Sequence, residues 1–479
     1  MERNDQLLKF KEIVLDSVSP TVCSAKWLEA TMWLYDGVTA SCHHNPTHKI
    51  QLDPNDPSSL HNTARKINER KAMLAGDRPR GCDYCWNTED NNSISDRYRK
   101  SHSHKSHMLD IPLVLEDDNV LSKASKKYID TVFSDVYSVN PTHLEIAFSR
   151  VCNLGCMYCG PYFSNTWAND IRVNGAYEIR PADHYDDRFE NWLPEIKDDE
   201  DNPYIKAFFE WWPSLKKDLR TLRFTGGEPF LHKGMWKFLN EAVSDPLFLG
   251  NIMINSNLIH NEKIIEKFID IAKNKKYINL KNGKLTERKF EIHTSCESNL
   301  TDAEYIRDGF DGKQWLDNVN LLLSSLPNLQ ITVTTAINNI GVWSYNEYVD
   351  IIIELRKKYG KDRINLNSNR VFHPTYQSIS LIDQENRNEL KNLISESRKK
   401  LLDSGLGNKY DYDQLDGLIQ YLGELHLSSN SDEEEQALIK FLQVYNDRRD
   451  KDESTLSPGF KQWISALRKK HELKELRNE

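Results

Sequence analysis

The rhythm of apolar and polar positions changes near Thr142. From there to about residue 370, short runs of β-branched and apolar residues alternate with stretches of helical period. The runs HLEIAF (143–148), TLRFT (221–225), NIMIN (251–255), FEIHT (290–294), LQITVTT (329–335) and RINLN (363–367) predict strands. Helical patterns separate them around 233–244, 261–273, 313–324 and 345–359. Six strands with helical crossovers predict a parallel sheet or an open barrel, with chemistry at the strands' C-terminal ends. The interval 165–217 exceeds a simple crossover and carries an aromatic, acidic insertion.

Outside this region the pattern differs. Asp5 to Ser17 predicts a short amphipathic helix, followed by two short strands joined around the turn dipeptide Asp36-Gly37. Residues 58–75 read as a helix, then Pro79-Arg80-Gly81 interrupts. The polar, Ser- and His-rich stretch 91–118 reads as loop or linker. Beyond Asn369 strands cease, and helices are expected at 382–404, 411–425, 432–447 and 458–474, with a break from Ser454 to Gly459. The run Asp432-Glu433-Glu434-Glu435 reads as a solvated helix start. No internal repeat is evident.

Composition narrows the class. At 479 residues, two to three structural units are expected, and no apolar run is long enough for a membrane span. The N-terminus lacks an uninterrupted apolar segment, which argues against a secretory signal. A net charge of −9 gives no global reason to bind nucleic acid or anionic membrane. The expectation is a cytoplasmic protein, where eight cysteines are unlike disulfides. They cluster instead: Cys152, Cys156 and Cys159; Cys23, Cys42, Cys82 and Cys85; and Cys296 alone. Metal or cluster ligation is the natural reading of such groups.

The loop VCNLGCMYCG carries Cys152-x3-Cys156-x2-Cys159 directly after the first strand of the alternating region. Three cysteines on one tight loop can ligate three irons of a four-iron cluster and leave the fourth open to substrate. With Tyr158 before the last cysteine, this resembles the signature loop of the radical SAM superfamily. After the second strand, Gly226, Gly227, Glu228 and Pro229 resemble the family's GGEP motif, which meets the amino group of S-adenosylmethionine. Glycines at a strand end let carbonyls and a carboxylate approach an ammonium closely. The third and fourth strands end in Asn255-Ser256-Asn257 and Ser295-Cys296-Glu297, where the resemblance makes Asn257 and Glu297 cofactor-binding candidates. The resemblance covers about 142–370 and implies a partial six-stranded parallel (β/α)6 barrel of α/β class. It also implies a 4Fe–4S cluster that reductively cleaves S-adenosylmethionine to a 5′-deoxyadenosyl radical, which takes a substrate hydrogen. A flavodoxin- or ferredoxin-type donor would supply the electron. Taken singly, the cysteine loop could be a zinc site and GGEP an ordinary turn.

Cys23, Cys42, Cys82 and Cys85 surround the predicted hairpin and resemble the SPASM/twitch auxiliary-cluster module. Cys82, Cys85, Glu89, Ser93 and Arg97 match a C-x2-C-x3-E-x3-S-x3-R pattern of that type. The departure is its place before the barrel rather than after it. The set implies a second 4Fe–4S cluster, with structural zinc as the alternative. His43 and His44 could substitute as ligands but read as polar neighbours, whereas His102, His104 and His107 could hold a metal but read as part of a solvated loop. Cys296 is a candidate catalytic thiol at a strand end, with buried packing the plainer role. Tyr162, Phe163 and Trp167 shield the cluster or simply pack.

The implied organisation is an auxiliary module at 1–120, a barrel at 121–374 and a helical region at 375–479. Members with such modules often modify peptide or protein side chains, which is the first expectation for substrate. A nucleotide, sugar or other small metabolite is the second. Other classes are a zinc-binding scaffold, against which the intact GGEP weighs, and a polar methyltransferase, for which no glycine-rich Rossmann fingerprint appears.

Overall fold

The structure is a computed structural model describing residues 3–109, 123–179, 201–248, 250–273, 280–281, 284–285, 288–425 and 431–478. It divides into two compact units, each discontinuous in sequence: Met1–Ser149, Glu195–Met253 and Asn274–Arg288 in one, Arg150–Pro194, Ile254–Lys273 and Lys289–Glu479 in the other. No helix of the described residues is long and apolar enough to cross a membrane.

In the first unit, β1 (Glu29–Trp33), β2 (Val38–Ala40) and β3 (His48–Lys49) form an antiparallel meander. Its first turn uses Gly37 at φ 63, a backbone conformation that glycine reaches without strain. Strand β1 also pairs in parallel with β4 (His143–Ala147), from Glu29↔His143 to Trp33↔Ala147. Strand β4 in turn pairs in parallel with β5 (Thr221–Thr225). The N-terminal hairpin is thus an extension of the parallel strands, a connection that local sequence patterns do not disclose.

The third strand of the alternating region, β6 (Asn251–Asn255), straddles the division between the units. The second unit holds β7 (Phe290–Ser295), β8 (Gln330–Ile337) and β9 (Ile364–Arg370), parallel and in chain order. All six strands anticipated from the sequence are present. The four expected C-terminal helices occur at Gln384–Asp403, Lys409–Glu424, Ser431–Arg449 and Pro458–Asn478.

Two expectations change. The stretch read as loop at 91–118 contains a helix at Asp96–Leu109, while 110–118 lie outside the described residues. Its buried face is Arg97, Tyr98, Ser101 and His104. The spacing is helical but three of the four side chains are polar, so hydrophobic periodicity gave no signal. The Asp432–Glu435 run is not wholly solvated either. Glu435 is buried and accepts from His471 Nε2 at 2.6 Å and from Lys470 at 2.6 Å.

Each parallel strand has one apolar and one polar face. Leu144 and Ile146, Leu222 and Phe224, Ile252 and Ile254 are buried, whereas His143, Glu145, Thr221, Arg223 and Met253 line a cavity on the other side. In the second unit the polar faces bond laterally: Thr332 Oγ1 donates to Glu291 at 2.6 Å, and Asn365 Nδ2 to Thr332 Oγ1 at 3.2 Å. Parallel strands covered on both faces are normally apolar throughout, so this alternation leaves each strand one polar face.

Candidate functional site

The loop carrying Cys152, Cys156 and Cys159 is clamped through its backbone. Asn165 Oδ1, at the start of helix Asn165–Asn174, accepts from Cys152 N at 2.8 Å, and Thr166 Oγ1 donates to Cys152 O at 2.6 Å. Trp167 Nε1 donates to Cys156 O at 2.9 Å, and Gln377 Nε2 to Met157 O at 2.9 Å. Gly155–Cys156 pairs antiparallel with Arg307–Asp308. Polar backbone in an irregular loop needs such partners, and here side chains from several elements supply them. Arg449 sets the outer side of the clamp, donating to Asp308 at 2.7 Å and to Asp170 at 3.1 Å. An added side chain at Gly155 would collide with the Arg449 guanidinium.

The three thiols face one another electrostatically. Burial, then Cys156 and Cys152, pushes the Cys159 thiol up to about 12. Burial also raises Cys156, with Arg307 opposing. Burial keeps the Cys156 and Cys159 thiols protonated until a metal displaces the protons, so the donor set fits a soft, thiophilic group. Leu154 N points at Cys152 Sγ at 3.5 Å, an amide donor suited to a thiolate.

Beneath the loop lies a polar triad that motif reading did not isolate. Tyr158 Oη donates to Glu297 Oε1 at 2.6 Å, and Arg307 Nη1 reaches Glu297 Oε1 at 3.0 Å and Tyr158 Oη at 2.6 Å. Burial, with Glu297 and Cys156 adding and Arg307 opposing, holds the Tyr158 phenol well above its ordinary range. Glu297 is buried, and its Oε2 has no hydrogen-bond partner among the described residues. An orphaned acceptor there fits a cofactor hydroxyl or ammonium. Asn257 bonds the cluster loop instead: its Nδ2 donates to Asn153 Oδ1 at 2.8 Å, while its Oδ1 accepts from Ile259 N at 2.8 Å. Cys296 is fully enclosed, with its thiol toward Ser298 O at 3.4 Å and raised by burial to about 12. That is the packing role rather than an accessible strand-end thiol.

In the first unit, the Gly-Gly-Glu-Pro strand end follows β5. Gly226 sits at φ 121, where a Cβ would collide with Ser149 O, and Gly227 N donates to that same oxygen at 3.1 Å. Gly226 is therefore required by close backbone approach. Glu228 Oε1 accepts from Phe230 N at 3.1 Å, capping the turn Pro229–Leu231.

Cys23, Cys42, Cys82 and Cys85, distant in sequence, line one pocket with Lys26, His44, Asp96, Arg97 and Lys100. Burial, then Cys82, Cys42 and Cys85, raises the Cys23 thiol to about 12. Cys85 rises to about 11, mainly through burial. Lys26, Arg97 and Lys100 each feel these thiols, so three cations stand ready to offset thiolate charge. Arg97 is fixed by a fork to Glu89, Nε to Oε1 at 2.9 Å and Nη2 to Oε2 at 2.7 Å. The serine completing this network is Ser95, 2.6 Å from Glu89, not Ser93, whose hydroxyl bonds Asn91 O. His44 bonds Asp96 at 2.8 Å and stacks on Tyr84. His104 is held between Ser24 and Glu29, and His102 packs on Phe10. The His107 side chain lies outside the described residues. Among the described residues, the one group of three His, Cys or carboxylate ligand atoms lying mutually within 4.8 Å is Asp432, Glu435 and His471, which Lys470 already neutralises. The cysteine sulfurs are spread more widely.

No protein-family model matches the chain, and no curated protein does. Similar solved structures include native anSMEcpe with bound AdoMet, at 13% identity, TM-score 0.33, covering 54% of this chain and 61% of that one. Another is Streptococcus suis SuiB bound to S-adenosylmethionine, at 12% identity, TM-score 0.36, covering 79% and 70%. A third is TYW1 with a lysine–pyruvate adduct bound, at 15% identity, TM-score 0.25, covering 52% and 69%. The chain thus spans about three fifths of the anSMEcpe structure it matches. Through Cys152, Cys156 and Cys159 after one strand and Gly226, Gly227, Glu228 and Pro229 after the next, the chain resembles the radical SAM superfamily.

Proposed function

We propose that the protein is a radical SAM enzyme of SPASM/twitch type, built on an open six-stranded barrel. The carrying observation is the thiol trio on its clamped loop above the Tyr158–Glu297–Arg307 triad. When bound, a 4Fe–4S cluster and S-adenosylmethionine supply a 5′-deoxyadenosyl radical that abstracts a substrate hydrogen. Cys152, Cys156 and Cys159 would hold the cluster. Gly226, Gly227 and Glu228 would receive the cofactor's amino group, and Glu297 would offer its open oxygen to a second polar group of the cofactor. Arg307 and Tyr158 fix the orientation of the Glu297 carboxylate.

The pocket of Cys23, Cys42, Cys82 and Cys85 takes a second cluster in this reading. Tetrahedral zinc, with Zn–S bonds near ~2.3 Å, draws its sulfurs to within ~3.8 Å of one another. No three cysteine sulfurs among the described residues approach within 4.8 Å. A cluster seats each thiolate on a different iron, which suits the wider spread. Lys100 lines both this pocket and the polar cavity on the strands, so a cluster held by these cysteines would lie beside the cavity and could supply an electron acceptor there.

The substrate in this reading is a peptide or protein side chain. A small metabolite is the second reading, favoured by the volume of that cavity, about 300 Å³. Anaerobic reconstitution, metal counting and a 5′-deoxyadenosine assay with dithionite and S-adenosylmethionine test the proposal. Iron with cofactor cleavage supports it. Zinc alone, with no cleavage under reducing conditions, refutes it in favour of a scaffold.

A further inference from the structure

The polar cavity in the first unit is lined by Glu29, His43, Lys100, Glu145, Arg223 and Met253, among others. Its charges are not equivalent. Glu29 is engaged on one wall, accepting from Lys100 Nζ at 2.6 Å and bonding His104 Nε2 at 3.0 Å. Glu145 and Arg223 are different. They are direct register partners on the parallel strands β4 and β5, with side chains on the same face. Neighbouring strands lie only ~4.8 Å apart, yet the two do not pair with each other. Among the described residues Glu145 has no hydrogen-bond or ion-pair partner, and Arg223 contacts only the Met253 sulfur, at 3.5 Å. The unfavourable cost of leaving an acid and a base unmatched in a half-buried cavity points to a ligand that matches both.

We infer that this cavity binds a small zwitterion of α-amino-acid type, its carboxylate on Arg223 and its ammonium on Glu145. The guanidinium suits a carboxylate by its planar fork, and the Glu145 carboxylate accepts from an ammonium. The balance of charge argues against a phosphorylated metabolite. Two carboxylates, Glu29 and Glu145, face the same space as the two cations, and a phosphate would meet that repulsion without surplus positive charge. A volume of about 300 Å³ accommodates a single amino acid with its side chain against Met253 and Thr221. The position suits the chemistry, since Arg223 lies three residues, about 10 Å along the strand, before Gly226. This inference rests on the small-metabolite form of the radical SAM reading for the fate of the ligand, though not for its binding.

Saturation-transfer NMR on the reconstituted full chain with S-adenosylmethionine and no reductant provides the test. The probes are the twenty free amino acids, each with its N-acetyl and methyl-ester forms, and inorganic phosphate. Binding of at least one free amino acid, lost when either charge is blocked and weakened tenfold or more in Arg223→Gln and in Glu145→Gln, supports the inference. Met253→Trp, which fills the cavity while keeping both charges, must also abolish binding, so the result does not depend on the charge variants folding. No binding of any free amino acid, binding indifferent to all three substitutions, or preference for phosphate overturns it. Amino-acid binding without 5′-deoxyadenosine on adding dithionite would leave this inference standing and remove the radical reading instead.

Discussion

At the residue scale, the Tyr158 hydroxyl shows how much of the site is built from neighbours rather than motif. It donates to Glu297 and receives from Arg307, three groups buried together under the cysteine loop. Cutting one member of such a network leaves its partners unsatisfied, at a cost of about 1–3 kcal/mol for a neutral group and more for a charge. Tyr158→Phe should therefore bind iron normally yet weaken S-adenosylmethionine by about tenfold, whereas Glu297→Gln should weaken it further, both read by equilibrium dialysis. Equal, unaltered affinity in both variants would make the triad a packing feature only. Cys156→Ala is the sharper case. It should remove the catalytic cluster and 5′-deoxyadenosine together, and turnover with full iron content would refute the assignment. The three cysteines and both glycines were legible in the sequence because spacing alone carries their chemistry. Arg307, Gln377 and Arg449 were not, since their partners are 149, 220 and 141 residues away.

At the element scale, the helix Asp96–Leu109 is the clearest case of a hidden structure. Its inward face is Arg97, Ser101 and His104, each bonded to the segment around Val22 to Glu29: Arg97 to Val22 O at 2.9 Å, Ser101 to Ser24 N at 3.1 Å, His104 to Ser24 and Glu29. Polar pairing replaced the apolar stripe by which helices are recognised. The Glu89–Arg97 pair is nearly inaccessible, with side chains 9% and 2% exposed. Glu89→Gln leaves the buried guanidinium without its counter-charge and should destabilise this region by about 3–5 kcal/mol, seen as accelerated amide exchange in 96–109. Exchange unchanged from the wild type would show the fork to be dispensable.

The same unit should be acid-sensitive before its carboxylates titrate. His61 is fully buried, bonded to Trp27 O at 3.0 Å, and held well below its ordinary range by burial and then by Lys66 and Arg70. His48 is lowered to about 4 by burial and Lys66. Both are neutral when folded and take up a proton on unfolding below ~6.5. The unfolded state then binds more protons, so the stability they contribute is present above pH ~6.5 and lost as pH falls through that value toward the folded pKa, at up to about 1.4 kcal/mol per pH unit for His61. Urea midpoints at pH 7.5, 6.5 and 5.5 should fall, and His61→Gln should flatten the slope. A slope unaffected by that substitution would assign the acid sensitivity elsewhere.

At the scale of the whole molecule, the six parallel strands were legible and the polar face they share was not. Alternation of polar residues ran through HLEIA, TLRFT, NIMIN and FEIHT, yet each run was short enough to read simply as a strand. In the first unit, the common direction of HLEIA and TLRFT brings His143, Glu145, Thr221 and Arg223 onto one cavity wall. The same assembly explains the N-terminal cysteines. Cys23 and Cys42 flank β1 and β2, and β1 joins β4 in parallel, so a module preceding the barrel in sequence shares Lys100 with the cavity. The proposed function implies two separable clusters, and they can be counted. The reconstituted chain should hold about eight irons, with about four left in a Cys82→Ala/Cys85→Ala variant and about four in Cys152→Ala/Cys156→Ala. The first variant should still cleave S-adenosylmethionine, because its catalytic thiols and glycine strand end are intact, but should lose product formation if the N-terminal cluster receives the substrate's electron. The second should do neither. Zinc in place of iron in the second variant would make the N-terminal pocket structural despite its widely spread sulfurs, and the role of Lys100 would then reduce to holding Glu29.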